Sequence, residues 1–427
     1  MRVFRNPPKE TWQELSQRPQ LELEFLESTV RNVLNRVKKS GDSALRELTL
    51  QFDKVRVEKF QVTDEEIKTS IDTVPKALKD SIQTAANNIQ KFHAAQRTKQ
   101  SAVETMPGVS CWRKSVAIDK VGIYIPGGSA PLFSTVLMLG IPAKLAGCKE
   151  IVLCTPPDLS GRINEAILFT AHLVGITRIF KVGGAQAIAA MAYGTETIPK
   201  VYKIFGPGNQ YVTKAKQLVT EEGLAIDMPA GPSEVLVIAD DSSTPSFVAA
   251  DLLSQAEHGE DSQVMLVVNN ENLIEAVQKE IEKQIQLLPR KEIAERCLAN
   301  SRVLLLQNSG DAIAFANQYA PEHLIVNTMD SEEIVSQITN AGSVFIGNYS
   351  PEAIGDYASG TNHTLPTNGY AKAFAGVSLE SFMKYITFQK LTKEGIASLG
   401  PAVEIMAEAE QLLAHKMAVR VRLESLK

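Results

Sequence analysis

Cysteine is scarce in this chain of 427 residues: the four present, Cys111, Cys148, Cys154 and Cys297, show no CxxC or other compact spacing. A disulfide framework and a thiolate zinc knuckle are thereby excluded, and free thiols are expected. Runs of basic residues are missing as well. Lys and Arg total 44 against 49 Asp and Glu, a formal charge of -5, and nowhere do cations gather as a phosphate backbone requires. Nucleic acid is therefore not an expected partner. A long apolar run is also absent. Residues 131–147 form the most apolar stretch, but Lys144 interrupts it and it falls short of the roughly 20 residues a membrane helix needs. The opening MRVFRNPPKETWQEL lacks the apolar core of a secretory signal. No membrane contact is expected, and a cytoplasmic protein is.

The length exceeds one ordinary core, so two or more domains are expected at roughly 100–200 residues each. Residues 8–96 read mostly as helix: 25–39 repeat apolar residues at helical spacing, Asp42 can cap a second helix, and Thr63-Asp64-Glu65-Glu66 is a capping signature opening a region that runs to about residue 96. His93, alone on this polar helix, reads as a surface histidine.

From residue 121 the rhythm changes to short apolar strands alternating with helices. Strands fall at 121–125, 151–154, 178–182 and 201–205, with helices near 133–147, 161–174, 184–193 and 209–219. A second series has strands near 234–239, 264–268, 302–306, 323–326 and 343–346, with helices near 244–258, 270–286, 309–318 and 331–339. The pattern predicts an α/β protein of two doubly wound, incomplete Rossmann-like lobes. An N-terminal helical segment with its connection covers 1–120, the first lobe 121–229 and the second 230–380. The rest, 381–427, is a strand at 385–391 and a helical tail over 392–419 that cannot form a core of its own and must dock elsewhere.

Three glycine turns follow strands of the first lobe: Pro126-Gly127-Gly128-Ser129, Val182-Gly183-Gly184-Ala185-Gln186 and Gly206-Pro207-Gly208-Asn209. Backbone there can approach a phosphate or ribose, and each following helix offers unpaired N–H groups. None completes G-x-G-x-x-G, since Tyr211 stands where the third glycine would be needed. Either a nucleotide or a merely tight strand-to-helix turn accounts for them.

Four of the six histidines lie in the second half, each beside another polar group. Gln255 and His258, three apart near a helix end with Gly259 as its C-cap, share a face and can share a metal. Asp356 and His363 lie on a turn-rich loop. Glu322-His323 is an acid/base pair or simply the start of a strand. Glu410 and His415, five apart on one helix, stand roughly 140° apart around its axis and would flank a site. No H-E-x-x-H is present, and each histidine alone also reads as a hydrogen-bonded structural residue.

Taken together, VGIYIPGGSAP (121–131), VGGAQA (182–187), IFGPGN (204–209), IDMPAGPSE (226–234), DLLSQAEHG (251–259), PEHL (321–324), GDYASGTNH (355–363) and Ala414-His415 closely resemble the histidinol dehydrogenases, from about residue 20 to the C-terminus. The resemblance implies an NAD-dependent four-electron oxidation of L-histidinol to L-histidine through an enzyme-held aldehyde, with two NAD reduced in succession. It implies one Zn2+ per subunit on Gln255, His258, Asp356 and His415. His323 is implied as the base taking the hydroxyl proton, and Glu322 as the group activating water on the aldehyde. It further implies Ser233, His363 and Glu410 around the substrate, and Tyr124, Gln186 and Asn209 around NAD. A homodimer is implied whose tails cross over, so that Glu410 and His415 serve the neighbouring subunit. Rival readings are a zinc hydrolase, a protein with a structural zinc, and a cysteine-dependent aldehyde dehydrogenase.

Overall fold

The computed structural model describes residues 1–18, 23–98, 101–127, 131–229 and 231–427. Gly128 and Ser129 of the first glycine turn lie outside them. The chain divides into two units, one formed by Met1–Ala95 and Ile118–Phe382, the other by Gln96–Ala117 and Met383–Lys427.

Both expected lobes lie in the first unit, each a parallel sheet. In the first lobe the strand order is Arg178–Lys181, Glu150–Thr155, Lys120–Tyr124, Lys203–Phe205, Ala225–Ile226. In the second it is Arg2–Arg5, Arg302–Leu305, Gln263–Val268, Glu234–Ala239, His323–Asn327, Ser343–Ile346. Setting aside Arg2–Arg5, both follow the same course: three strands wind one way from the centre, and the chain then crosses back to add two on the other side. The N-terminal strand was not expected; it pairs in parallel with Arg302–Leu305. Its four residues carry two arginines and too little periodicity to mark a strand, and the neighbouring edge supplies the missing partner.

Strands buried on both faces explain the apolar runs: every residue of Glu234–Ala239 and Gln263–Val268 is buried. The helix Phe133–Ala146 is buried on nearly every face, so it reads as an apolar block rather than a stripe. N-terminal helices complete the first lobe. Leu23–Phe52, broken at Gly41, sends Val30, Val33, Leu45 and Leu48 into the core shared with Ile188 and Val212. The Thr63–Glu66 capping box opens Asp64–Thr73 as expected. His93, however, is fully buried on Lys76–Ala95, and the Asn362 amide Nδ2 donates to its Nε2 at 3.1 Å. The expected surface histidine is thus a buried acceptor, because a polar helix face covers another segment here rather than water.

In the second unit, Met383–Leu391 pairs antiparallel with Val109–Ala117, which pairs with Val103–Met106. Residues 103–117, expected as a connection, are therefore strands. The tail is two helices, Lys393–Ala409 and Leu413–Glu424, broken where Gln411 takes a left-handed φ of 60°. They pack through Gly400 against Val419 and Leu423 and through the Arg420–Glu404 ion pair. Ile405, Met406, Leu413, Met417 and Val421 remain exposed.

Candidate active site

The glycine turns gather at the carboxyl edge of the first sheet. Gly206 has φ 125°, and a Cβ there would collide with the Tyr124 carbonyl, so only glycine fits. Buried Lys216 fixes this turn by donating to the Gly206 carbonyl at 2.9 Å while paired with Asp227, whose other oxygen accepts from the Gly206 amide at 2.8 Å. Asn209 caps the next helix, its Oδ1 accepting from the Tyr211 and Val212 amides. Gly183 and Gly184 open Gly184–Tyr193, and the Gly184 amide donates to the Tyr124 hydroxyl at 3.0 Å. Around these turns lies a cavity of about 780 Å³, lined among others by Asp53, Tyr124, Thr155, Gln186 and Asn209. Its size suits a dinucleotide-class ligand, and it sits where ligands bind in open α/β sheets, beyond the strand carboxyl ends.

A second site forms at the opposite, amino edge of the second sheet. Helix Ser309–Tyr319 ends on Ala320, held at a left-handed φ of 52°, and Pro321 then starts the chain into His323–Asn327. A non-glycine residue in that region costs on the order of 1–2 kcal/mol, and this turn places His323 at the strand's first position with Glu322 just before it. Of the two readings of Glu322-His323, the start of a strand is what the fold shows. Ser233 immediately precedes the neighbouring strand, and the Glu234 amide donates to Glu322 Oε2 at 2.9 Å. Beneath them, Glu234 itself takes a two-pronged ion pair from Arg18, whose guanidinium also stacks on Tyr319.

His323 is 3% exposed, with Nδ1 3.4 Å from the Glu234 carbonyl and 3.7 Å from Glu322, and Nε2 3.3 Å from Asp356 Oδ1 without hydrogen-bond alignment. Desolvation opposes an imidazolium, but the carboxylates of Glu352, Glu322 and Asp356 outweigh it and hold His323 well above its ordinary pKa. Burial pushes Glu322 up to about 8 and Glu352 likewise. Asp356 is desolvated too, yet His323 holds it below the usual carboxylate range.

Asp356 lies on a short helix, Glu352–Tyr357, and not on the expected loop. That helix explains the residue the sequence reading missed: Glu352 is one turn before Asp356, on the same face. His258, Glu352 and Asp356 bring ligand atoms within 4.8 Å of one another. His258 stands just past Glu257, the C-cap of Pro245–Ala256, and Gly259 is not a left-handed cap as expected. One turn earlier, Gln255 is fully buried with neither amide atom partnered among the described residues. Helices returning from the carboxyl edge end at the amino edge, where their carbonyl ends favour a cation.

His363 has both nitrogens engaged, one within 3.0 Å of Thr135 Oγ1 and the other within 2.8 Å of the Asp356 carbonyl. Glu410 and His415 belong to the second unit and to different helices: Glu410 is the C-cap of Lys393–Ala409 and His415 lies in the first turn of Leu413–Glu424. The expectation that they share one helix fails because Gln411 interrupts it. As for thiols, burial pushes Cys148 up to about 12 and Cys297 up to about 11, and raises Cys154 further still, so none of the three is a ready thiolate nucleophile.

A carboxyl-edge cavity of dinucleotide size in one lobe, and a buried acid–imidazole cluster able to hold a cation on the other, fit an oxidoreductase of the metal-competent dehydrogenase class. The comparisons with known proteins make this particular. The family profile described as Histidinol dehydrogenase matches residues 16–423. Histidinol dehydrogenase of Bacteroides fragilis (strain YCH46) is 60% identical over 427 residues, covering 100% of both chains. The chloroplastic histidinol dehydrogenase of Arabidopsis thaliana is 51% identical over 96% of this chain and 89% of its own. The crystal structure of histidinol dehydrogenase from Elizabethkingia anophelis superposes with a TM-score of 0.97 at 58% identity, over 100% of this chain and 98% of that one. The chain belongs to the histidinol dehydrogenase family, whose activity is an oxidoreductase step of histidine biosynthesis. Among the described residues no helix is long and apolar enough to cross a membrane.

Proposed function

We propose that this protein converts L-histidinol to L-histidine in the cytoplasm, through a retained aldehyde, with the reduction of two NAD. Zinc would be held by Gln255, His258 and Asp356, with His415 contributed by a second copy. One observation carries the reading: Gln255, fully buried with an unpartnered amide, stands one turn from His258, whose ring meets two carboxylates. A buried amide without a partner costs about 1–3 kcal/mol, and a cation accepting its carbonyl removes part of that penalty. Glu352 widens the proposed donor set by one oxygen. When bound, zinc would orient the substrate and neutralise the Asp356 and Glu352 carboxylates, and NAD would accept hydride in the first-lobe cavity.

The chain's own residues supply the proton chemistry. His323, relieved of its carboxylate bias, takes the alcohol proton at Nε2, with Nδ1 held by the Glu234 carbonyl in one tautomer. Glu322, buried and raised to about 8, then withdraws a proton from the water that adds to the aldehyde. Ser233, His363 and Glu410 would position the substrate, and Tyr124, Gln186 and Asn209 the dinucleotide. The apolar residues left exposed on the tail helices support a homodimer in which Glu410 and His415 serve the other copy's site.

The test is the NADH yield from a limiting amount of L-histidinol, before and after chelation and zinc restoration. Two NADH per histidinol, lost on chelation and regained with zinc, is expected. One NADH would mean that the aldehyde leaves, and none in the zinc-loaded protein would reinstate a hydrolase.

A further inference from the structure

A standard dinucleotide-binding lobe places an acidic residue at the end of its second strand to accept the adenosine ribose hydroxyls. Here that strand is Glu150–Thr155, and it ends in Thr155-Pro156-Pro157. The position holds no carboxylate. Thr155 is fully buried against the cavity with its Oγ1 unpartnered among the described residues. Asp158 follows and also lines the cavity, but it is exposed to solvent and its Oδ1 accepts from the Ser160 amide, the Ser160 hydroxyl and the Arg162 amide, which ties that oxygen to its own turn.

The cavity takes a carboxylate from another element. Asp53 follows the last residue of the N-terminal helix Leu23–Phe52 and lines the same space. Its Oδ2 accepts from Nε2 of Gln186, itself 2% exposed, at 3.3 Å. Gln186 opens the helix after the third strand, Arg178–Lys181, so Asp53 stands on the half of the cavity bounded by the second and third strands. In standard dinucleotide-binding lobes that half receives adenosine.

We infer that Asp53 replaces the missing strand-end acid: it accepts the adenosine ribose diol and thereby selects NAD over NADP. A 2′-phosphate brought there would meet a carboxylate out of water, where like charges repel strongly. Desolvation pushes Asp53 up to about 6, consistent with a carboxylate held away from bulk solvent and still ionised near neutrality. One cation pulls the other way. Arg162 also lines the cavity and would welcome a 2′-phosphate, but it is exposed, with Nε tied to the Ser160 hydroxyl, whereas Asp53 is partly buried against Gln186. The less solvated charge governs the choice.

This inference rests on the cavity being the dinucleotide site, and the experiment separates the two. Asp53→Asn and Gln186→Ala are compared with the wild-type zinc-loaded enzyme for kcat/KM with NAD and with NADP, at saturating L-histidinol. Gln186→Ala should weaken both cofactors. Asp53→Asn should lower kcat/KM for NAD by roughly 10-fold or more, the value of a hydrogen bond to a charged group. NADP should hold or improve, and zinc content and kcat at saturating NAD should be retained. Equal losses for both cofactors, or none for either, would overturn the role of Asp53 while leaving the cavity assignment standing. No effect of Gln186→Ala on either cofactor would take down both.

Discussion

The two lobes share a strand order and use opposite edges of it. In the first, the turns and cavity lie beyond the strand carboxyl ends, where helix N-termini offer N–H groups to an anionic dinucleotide. In the second, the polar cluster lies at the amino ends, built from the first residues of central strands and from the end of a returning helix. Each edge suits its charge. Helix N-termini attract phosphate, whereas helix C-termini and gathered carboxylates attract a cation. One topology thus offers two edges suited to ligands of opposite sign.

The comparison breaks most sharply at His323. Replacing it by Ala should lower turnover by about 10²–10⁴-fold, the usual worth of a general base, with NAD affinity and zinc content unchanged. Kinetics alongside metal analysis check this, and loss of zinc would make His323 a ligand rather than a base.

The seam between edges comes next. His93 accepts from Asn362, beside the His363 that meets Thr135 of the first lobe. Burial pulls its pKa from 6.5 down to about 4. The unfolded chain therefore binds the proton more readily, and stability present above pH 6.5 should fall as pH drops toward 4, by up to about 3 kcal/mol. Denaturant titrations across that window should show the loss, and His93→Gln should flatten it. A slope surviving in the variant would move the effect to another group.

The smallest effect is expected at the first-lobe edge. Gln186→Ala should raise KM for NAD by roughly 10-fold without touching zinc content. A change in bound metal would show that the edges are coupled.

Much of the scaffold was legible from local pattern. Glu234–Ala239 and Gly184–Tyr193 fall where periodicity places them, because a strand buried on both faces and a helix opened by two glycines leave strong local marks. Arg2–Arg5 and Val109–Ala117 left none: the one partner of the first, and the longer of the two partners of the second, lie far along the chain. The candidate site divides similarly. Gln255 and His258 stand out by their spacing near a helix end, Glu322 and His323 as a polar pair opening an apolar run, and Asp356 by its turn-rich surroundings. Glu352 could have been found as a carboxylate one turn before Asp356, had the segment been read as helix. Asp53 carries no local signal, because its meaning depends on Gln186, 133 residues away.

By itself the sequence determined the alternation of strands and helices, the family, and the residue types available for proton transfer and metal binding, since these follow from composition, period and motif within short windows. Tertiary structure decided at which edge of each sheet the turns, cavity and polar cluster gather, that His93 is buried, that Glu352 joins His258 and Asp356, and that a carboxylate following an N-terminal helix reaches the first-lobe cavity. Those outcomes depend on packing between distant segments, where burial and neighbouring charge set what a side chain can do.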